Sequence, residues 1–385
     1  MADSPILKLK EYGQSVWMDY LNRDLIESGE LNNMIERYGL CGLTSNPSIF
    51  EKAISGSDVY NADIEAGVRE GKSAQEIYES LVFEDIRNAC DMFRPIYEKT
   101  DGQDGYVSIE VSPELARDTQ GTIAEARRFY NAIDRENVMI KIPGTMEGFG
   151  AVEQAIAEGI NVNITLLFSV ENYMQAAWAY MRGLESRVQS GKPINRIASV
   201  ASFFLSRIDT KIDERIEELL KGEGTETLNR EARLNELKGK IAIANAKVAY
   251  EKFNELISSD RWQELAKHNA NAQRLLWAST STKNPEYSDV MYVNELIGPH
   301  TVNTMPTATL EACADHCDIA GDRVEQGVEE AHKLLQSLND PDIQISLHKV
   351  MEELLEEGIE KFNKPFHSLM ESLEQKIQDL QPAEV

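Results

Sequence analysis

Of the 385 residues only four are cysteine, Cys41, Cys90, Cys313 and Cys317. So few, at this length and without a clustered framework, they cannot staple a fold, and they point to a reducing compartment. No stretch approaches the roughly 20 apolar residues that cross a bilayer. The opening "MADSPILKLKEYGQ" lacks the apolar centre of a secretory signal. Positive charge is also scarce: 39 Lys and Arg stand against 65 Asp and Glu, a formal net charge of −26. A field of that sign disfavours nucleic acid and anionic membrane surfaces. The expectation is a cytoplasmic chain with no nucleic-acid partner and no membrane partner. A local pocket escapes this argument, because two well-placed cations can hold a phosphate against the average.

Several chemistries lack their motifs. There is no G-x-x-x-x-G-K-[ST], no G-x-G-x-x-G opening a helix after a strand, and no H-E-x-x-H. "CADHC" offers Cys313, His316 and Cys317 but no second ligand pair, so no metal is expected there. Of the six histidines only His300 lies at the edge of a candidate strand, which leaves a histidine relay without support.

What is present is a regular alternation. Apolar runs recur at "SVWMDY" (15–20), "GLCGLTS" (39–45), "YVSIEV" (106–111) and "NVMIKIP" (137–143). They continue at "NVNITLLF" (161–168), "RIASVASFF" (196–204), "RLLWAST" (274–280) and "TVNTMP" (301–306). Between them the apolar period changes from 2 to about 3.6. Val170, Tyr173, Met174, Ala177, Tyr180, Met181, Leu184 and Val188 make one helical stripe, with Ser169 placed as N-cap and Gly191 just past the end. Ser112-Pro113 reads as a cap followed by proline at the first helical position, ahead of a face formed by Ile123, Ala126, Phe129, Tyr130 and Ile133. Eight strands alternating with helices predict a single (β/α)8 barrel domain spanning 1–385, with an open doubly wound sheet as the alternative. Helical insertions are expected over about 51–105 and 207–273, the second a charged hairpin turning at "GEGTET". Amphipathic helices, broken near "NDPD", are expected over about 322–385, as a barrel cover or a subunit contact.

Strand side chains alternate between faces, which gives each odd polar residue a direction. In "VMIKI", Val138, Ile140 and Ile142 face the outer helices, so Met139 and Lys141 face the interior. The same count sends Ser108 and Glu110, Asn163 and Thr165, and Asp19 inward; Ser202 closes the sixth strand and Asn46 lies just beyond the second. Taken singly, an inward Asn or Thr is an ordinary core polar group, a strand-end Asp is a cap, and Lys141 with Glu110 is a structural ion pair. Together they converge on the C-terminal rim, where barrels place their active sites.

Lysine there has a chemical use. An exposed amine, with a pKa near 10.4, is neutral in only about one molecule in 2,500 at pH 7. Burial in an apolar strand favours the neutral form, which can attack a carbonyl and form a Schiff base. The iminium is an electron sink that permits cleavage of the adjacent carbon–carbon bond, with Glu110 and Asp19 available to move protons. A carboxylate touching Lys141 directly would oppose the neutral amine, so the expectation is Glu110 reaching it through a water held by Thr165.

At these residues the sequence resembles transaldolase. The matching stretches include "GLTSNPSIFEKAI", "VSIEVSPELARDT", "VMIKIPGTMEGFGA", "INVNITLLFSVENY", "SVASFFLSRID" and "LLWASTSTKNPEYSDV", in the family's order. The resemblance implies a (β/α)8 barrel, no metal or organic cofactor, and transfer of a dihydroxyacetone unit between sugar phosphates. By motif match it makes Lys141 the Schiff-base lysine, Asp19 the acid/base at the breaking bond, and Glu110 with Thr165 the pair that handles water. Asn46 and Asn163 would bind the dihydroxyacetone part, Ser202 would lie beside it, and Arg207 would hold phosphate. Many family members carry an arginine two residues after the serine of an A-S-x-R run. Here Ser279 is that serine, Ser281 occupies the arginine's place, and Lys283 is the nearest substitute cation. A fructose-6-phosphate aldolase that releases free dihydroxyacetone, and a non-catalytic acidic scaffold, are the alternatives. Either a monomer or a homodimer is compatible with these residues.

Overall fold

The computed structural model describes residues 4–221 and 228–380. Eight parallel strands close in chain order: β1 (Gln14–Asp19), β2 (Leu40–Thr44), β3 (Tyr106–Glu110), β4 (Val138–Pro143), β5 (Val162–Leu167), β6 (Ser199–Phe204), β7 (Arg274–Ala278) and β8 (Thr301–Met305). Each anticipated run contains a strand. The open-sheet alternative is ruled out by the pairing of β1 with β8, from Gln14 opposite Thr301 to Met18 opposite Met305. Every residue of β3 to β6 is buried, as befits parallel strands enclosed by helices on one side and packed side chains on the other. The indole of Trp17, on β1, lies against β2. A Cβ on Gly42 would come within 2.5 Å of that ring, so the strand carries glycine where the indole crosses it.

The helix Val170–Gln189 starts as expected: the Ser169 hydroxyl accepts the Asn172 amide at 3.1 Å, and Gly191 follows with φ 67°. The helix after β3 does not. Ser112 makes no side-chain cap bond and Pro113 opens only the single turn Pro113–Leu115. The long helix, Thr119–Ile133, is capped instead by Asp118, whose carboxylate accepts the Gly121 amide at 3.0 Å. Both stretches offer an acceptable cap, and Asp118 alone combines an extended backbone with an acceptor in reach of the first-turn amides.

The first insertion contains the helices Pro47–Gly56, Asn61–Arg69 and Ala74–Lys99; the second contains Ser206–Lys221, Leu228–Leu237, Ile241–Ile257 and Asp260–Ala266. The expected turn at "GEGTET" (222–227) lies outside the described residues. Cys313 and Cys317, one turn apart at the end of the helix Thr307–His316, have their sulfurs paired, which the spacing had not suggested. His316 is turned away from them to Asp289 and Asp315. The chain ends in the helices Val328–Ser337 and Leu347–Leu380, with the break at 339–342 between them. The last helix lies across the C-terminal end of the barrel, packed on Pro47–Gly56, Ala74–Lys99 and Ser206–Lys221. Among the described residues no helix is long and apolar enough to cross a membrane.

Candidate active site

Register explains why the inward polar residues meet. Glu110 on β3 stands opposite Lys141 on β4, Lys141 stands opposite Asn163 on β5, and Pro143 stands opposite Thr165. Neighbouring strands lie about 4.8 Å apart, so side chains at paired positions on one face touch. Asn163 donates to Ser108 Oγ at 3.1 Å and accepts from Ser202 Oγ at 2.7 Å, which joins β3, β5 and β6 by one amide. On the other side Asp19 Oδ1 accepts from Thr44 Oγ1 at 2.6 Å, and Thr44 Oγ1 is 2.7 Å from Thr304 Oγ1. The Asp19 carboxylate is thus held by a hydroxyl pair from β2 and β8.

Lys141 is buried, and its Nζ donates to the Ser45 backbone carbonyl at 2.9 Å. The expected water between Lys141 and Glu110 is replaced by direct contact: Nζ is 3.4 Å from Glu110 Oε2. The cause is the register, which makes the two cross-strand neighbours. The approach lacks hydrogen-bond geometry, and neither Glu110 oxygen has a hydrogen-bond partner among the described residues. Burial raises the Glu110 carboxyl above the usual carboxylate range, a shift that the nearby Lys141 charge opposes. Glu110 is therefore a carboxyl with raised proton affinity, placed where it can exchange a proton with the amine. Thr165 Oγ1 and Arg207 Nη1 are likewise buried without partners among the described residues. An orphaned buried group costs about 1–3 kcal/mol, so several at one barrel end mark a place built for something other than stability.

A cavity of about 440 Å³ opens at this end of the barrel. Nine of the eleven residues proposed from sequence line it: Asp19, Asn46, Lys141, Thr165, Ser202, Arg207, Ser279, Ser281 and Lys283. Glu110 and Asn163 stand behind its wall, touching Lys141 and Ser202 respectively. Asn46 has two duties, since its Oδ1 caps the helix Pro47–Gly56 by accepting the Ile49 amide at 3.0 Å. Ser279 has φ 54°, and its hydroxyl is 2.8 Å from that of Ser206, the first residue of the helix that carries Arg207. Arg207 lies between two rings, 5.0 Å from the Phe204 centroid and 5.9 Å from that of Phe362. Burial lowers its proton affinity, against the pull of Asp19 and Glu110. Lys283 is exposed at the rim and donates to Ser281 Oγ at 2.8 Å. The charged residues of the wall are thus Asp19 and the cations Lys52, Lys141, Arg207 and Lys283, a positive pocket in a strongly acidic chain.

Sequence reasoning missed Lys52, Ser48, Phe204 and Phe362. Phe204 was within reach, two residues after Ser202 on the same strand face. Phe362 gave no local signal, because nothing in a helix's own pattern says which pocket it crosses. Two larger cavities lie elsewhere, of about 580 Å³ at the N-terminal end of the barrel and about 710 Å³ beside the acidic face of Ser206–Lys221. Among the described residues no group of three or more His, Cys, Asp or Glu side chains could hold a metal ion.

A family model described as transaldolase/fructose-6-phosphate aldolase matches residues 16–373. The chain belongs to that family. It is 63% identical over 382 residues to a protein of a Nostoc species named "Transaldolase 2", covering 99% of this chain and all of that one. It is 60% identical over 382 residues to the transaldolase of Trichodesmium erythraeum, again covering 99% of this chain and all of the relative. The transaldolase of Thermobifida fusca is 44% identical over 374 residues, 97% of this chain and 98% of that one.

Proposed function

We propose that the protein is a transaldolase, moving a dihydroxyacetone unit from a ketose phosphate to an aldose phosphate through a Schiff base on Lys141. The observation that carries this reading is one buried amine on the wall of a cationic cavity, with Glu110 at 3.4 Å and the cavity-lining carboxylate Asp19 beside it. Lys141 attacks the ketose carbonyl, and Glu110 takes and returns the proton as water leaves the carbinolamine. Thr165 Oγ1, buried and uncommitted, supports that water. Asp19, oriented by Thr44, accepts the hydroxyl proton as the carbon–carbon bond breaks and gives it back when the acceptor aldehyde is joined. Asn46 Nδ2 and Asn163 with Ser202 hold the dihydroxyacetone hydroxyls.

Arg207 holds the phosphate as a fork, with an unpartnered Nη1 and its plane fixed between two rings. Ser279, Ser281 and Lys283 complete that subsite, Lys283 as a point charge held by Ser281. Sugar phosphates are thus the partners of the site. A cytoplasmic setting goes with them, as phosphorylated sugars do not cross membranes unaided.

Borohydride reduction in the presence of fructose 6-phosphate tests the reading, because it should fix a reduced three-carbon adduct on Lys141. No adduct, or an adduct elsewhere, defeats it. Turnover of the same ketose without erythrose 4-phosphate would instead mark an aldolase that releases dihydroxyacetone.

A further inference from the structure

The Leu347–Leu380 helix is more than packing for the barrel. Its buried stripe includes Leu354, Gly358, Phe362, Phe366, Leu369 and Leu373. Phe362 stands over the reacting groups: its ring centroid is 6.0 Å from Lys141 Nζ and 5.9 Å from the Arg207 guanidinium carbon. It lines the cavity and is only 5% exposed. One turn earlier the helix comes down on the end of β5, where a Cβ on Gly358 would meet Leu166 Cδ2 at 2.8 Å. Glycine at 358 is therefore what lets the helix lie this low, one residue along from Thr165 on β5. One turn later Phe366 stacks edge-on against Tyr78 at 5.7 Å.

Both flanks of the helix are tied to the mouth by charge. Lys211 meets Glu353 at 3.3 Å and Glu357 at 2.5 Å, and Arg215 meets Glu353 at 3.0 Å. Across the mouth Arg117 pairs with Glu356, and His367 lies 2.8 Å from Glu114. Such partly exposed pairs add little stability, but pairs on opposite flanks fix where the helix crosses.

We infer that Phe362 is a positioning residue that roofs the Schiff base, and that this roof favours transfer of the three-carbon unit over its release. The inference rests on the transaldolase reading. After the carbon–carbon bond breaks, the three-carbon unit is an enamine on Lys141. In transfer, its nucleophilic carbon bonds to the acceptor's aldehyde carbon, and the new alkoxide takes a proton from Asp19. Water then hydrolyses the product iminium, which frees the new ketose and restores the amine. In release, that carbon takes a proton instead, water adds to the resulting C=N carbon, and the C–N bond breaks. Free dihydroxyacetone then leaves and the amine is restored. Both branches end by hydrolysing an iminium, and they part at the enamine carbon, where the first needs an aldehyde and the second only a proton. An apolar ring over the site keeps bulk water, as a proton source, from the enamine carbon and leaves that carbon to an acceptor drawn in by Arg207, which the same ring flanks.

The test compares the rate of dihydroxyacetone release from fructose 6-phosphate without acceptor with the rate of transfer to erythrose 4-phosphate. Relative to wild type, Phe362→Ala should raise the release-to-transfer ratio about ten-fold, while Phe362→Leu, which restores apolar volume, should stay within about three-fold. Borohydride trapping at Lys141 and the thermal midpoint report that the site and fold persist. Should Phe362→Ala fail to fold, Gly358→Val keeps Phe362 but puts methyl groups where Leu166 already sits, and lifting the roof should raise the same ratio. An unchanged ratio in a folded variant that still traps at Lys141 overturns the roof. A wild-type protein that neither traps nor transfers overturns the transaldolase reading on which it rests.

Discussion

The barrel has a cavity at each end, and the larger one is not the proposed site. At the N-terminal end about 580 Å³ is lined by Lys10, Gln14, Ser15, Asp104, Arg274 and His300 among others. Its central carboxylate, Asp104, accepts from the Trp17 indole at 2.7 Å and from the Ser15 hydroxyl, and Arg274 lies 3.4 Å away. Arg274 in turn donates to the Ser15 hydroxyl at 2.7 Å and the Gln103 carbonyl at 2.8 Å. The unpartnered groups nearby, Gln14 Oε1 and Gln273 Oε1, are neutral amide oxygens. At the C-terminal end the smaller cavity, about 440 Å³, has Glu110, Thr165 and Arg207 atoms buried at or just behind its wall with no hydrogen-bond partner among the described residues, Glu110 meeting only the amine of Lys141. Charges that satisfy one another hold a structure together, whereas charges kept from doing so are available to a substrate. Partnership, rather than volume, separates the two ends.

If that distinction is sound, substitutions at the two ends should fail in opposite ways. Lys141→Ala is expected to abolish turnover and borohydride trapping while the protein still folds, since Glu110, whose carboxyl burial already raises, can hold a proton once the amine is gone. Residual ketose cleavage by this variant would end the assignment. At the other end Asp104→Ala leaves the buried Trp17 N–H without its acceptor and the half-buried Arg274 without its counter-charge. It should cost about 1–3 kcal/mol of stability in urea unfolding, with kcat and KM per folded molecule unchanged. A loss of activity without loss of stability in Asp104→Ala would erase the contrast.

The sequence made the mouth legible more readily than its roof. The eight runs could be read because parallel strands buried on both faces are continuously apolar, so that Lys141 or Glu110 inside one stands out. Alternation then assigned directions, and the direct contact of Glu110 with Lys141 was the part it could not supply. Alternation says which face a residue takes, not which residue stands opposite across the ladder, and the β3–β4 register put the two side by side. Asn46 shows the opposite limit, since helix cap and candidate ligand are both correct descriptions of one amide. Phe362 looked like any apolar residue on an amphipathic helix, and its place over Lys141 follows from the path of the chain after residue 347. Ser112-Pro113 failed as a helix start because Asp118 competes as a cap only five residues on.

Asp209 sharpens the comparison, because it is a buried carboxyl with hydrogen bonds but, among the described residues, no ion-pair partner. It accepts from the Ala242 amide at 2.8 Å and from the Tyr292 hydroxyl at 2.8 Å, on the helix that carries Arg207. Burial outweighs those bonds and pushes its carboxyl up to about 7, from an ordinary 3.8. The folded protein therefore retains a proton that the unfolded chain has already lost. The stability this group contributes is full below about pH 4 and drains away as the pH rises toward 7. Asp209→Asn, neutral throughout, should gain on wild type across that window by about 2–4 kcal/mol and then run parallel above it. Urea unfolding of both proteins at pH 5 and pH 8 measures the difference, and a gap independent of pH would mean that Asp209 ionises normally.

The smallest effects divide the phosphate subsite itself. Arg207 is fixed between two rings with a buried unpartnered Nη1, so its contact with phosphate is charge-assisted, oriented and shielded. Arg207→Ala should raise KM for phosphorylated substrates about 10- to 100-fold, the equivalent of a charged hydrogen bond worth about 1.5–3 kcal/mol. Lys283 is exposed and, among the described residues, tethered only through Ser281, so the same phosphate gains from it little more than a surface charge would give. Lys283→Ala should raise KM only about two- to five-fold, and added salt should shrink that difference while leaving most of the Arg207 effect in place, because screening reaches exposed charges first. Equal penalties for the two variants would mean that Lys283 fully replaces the arginine that the family resemblance places at the position of Ser281.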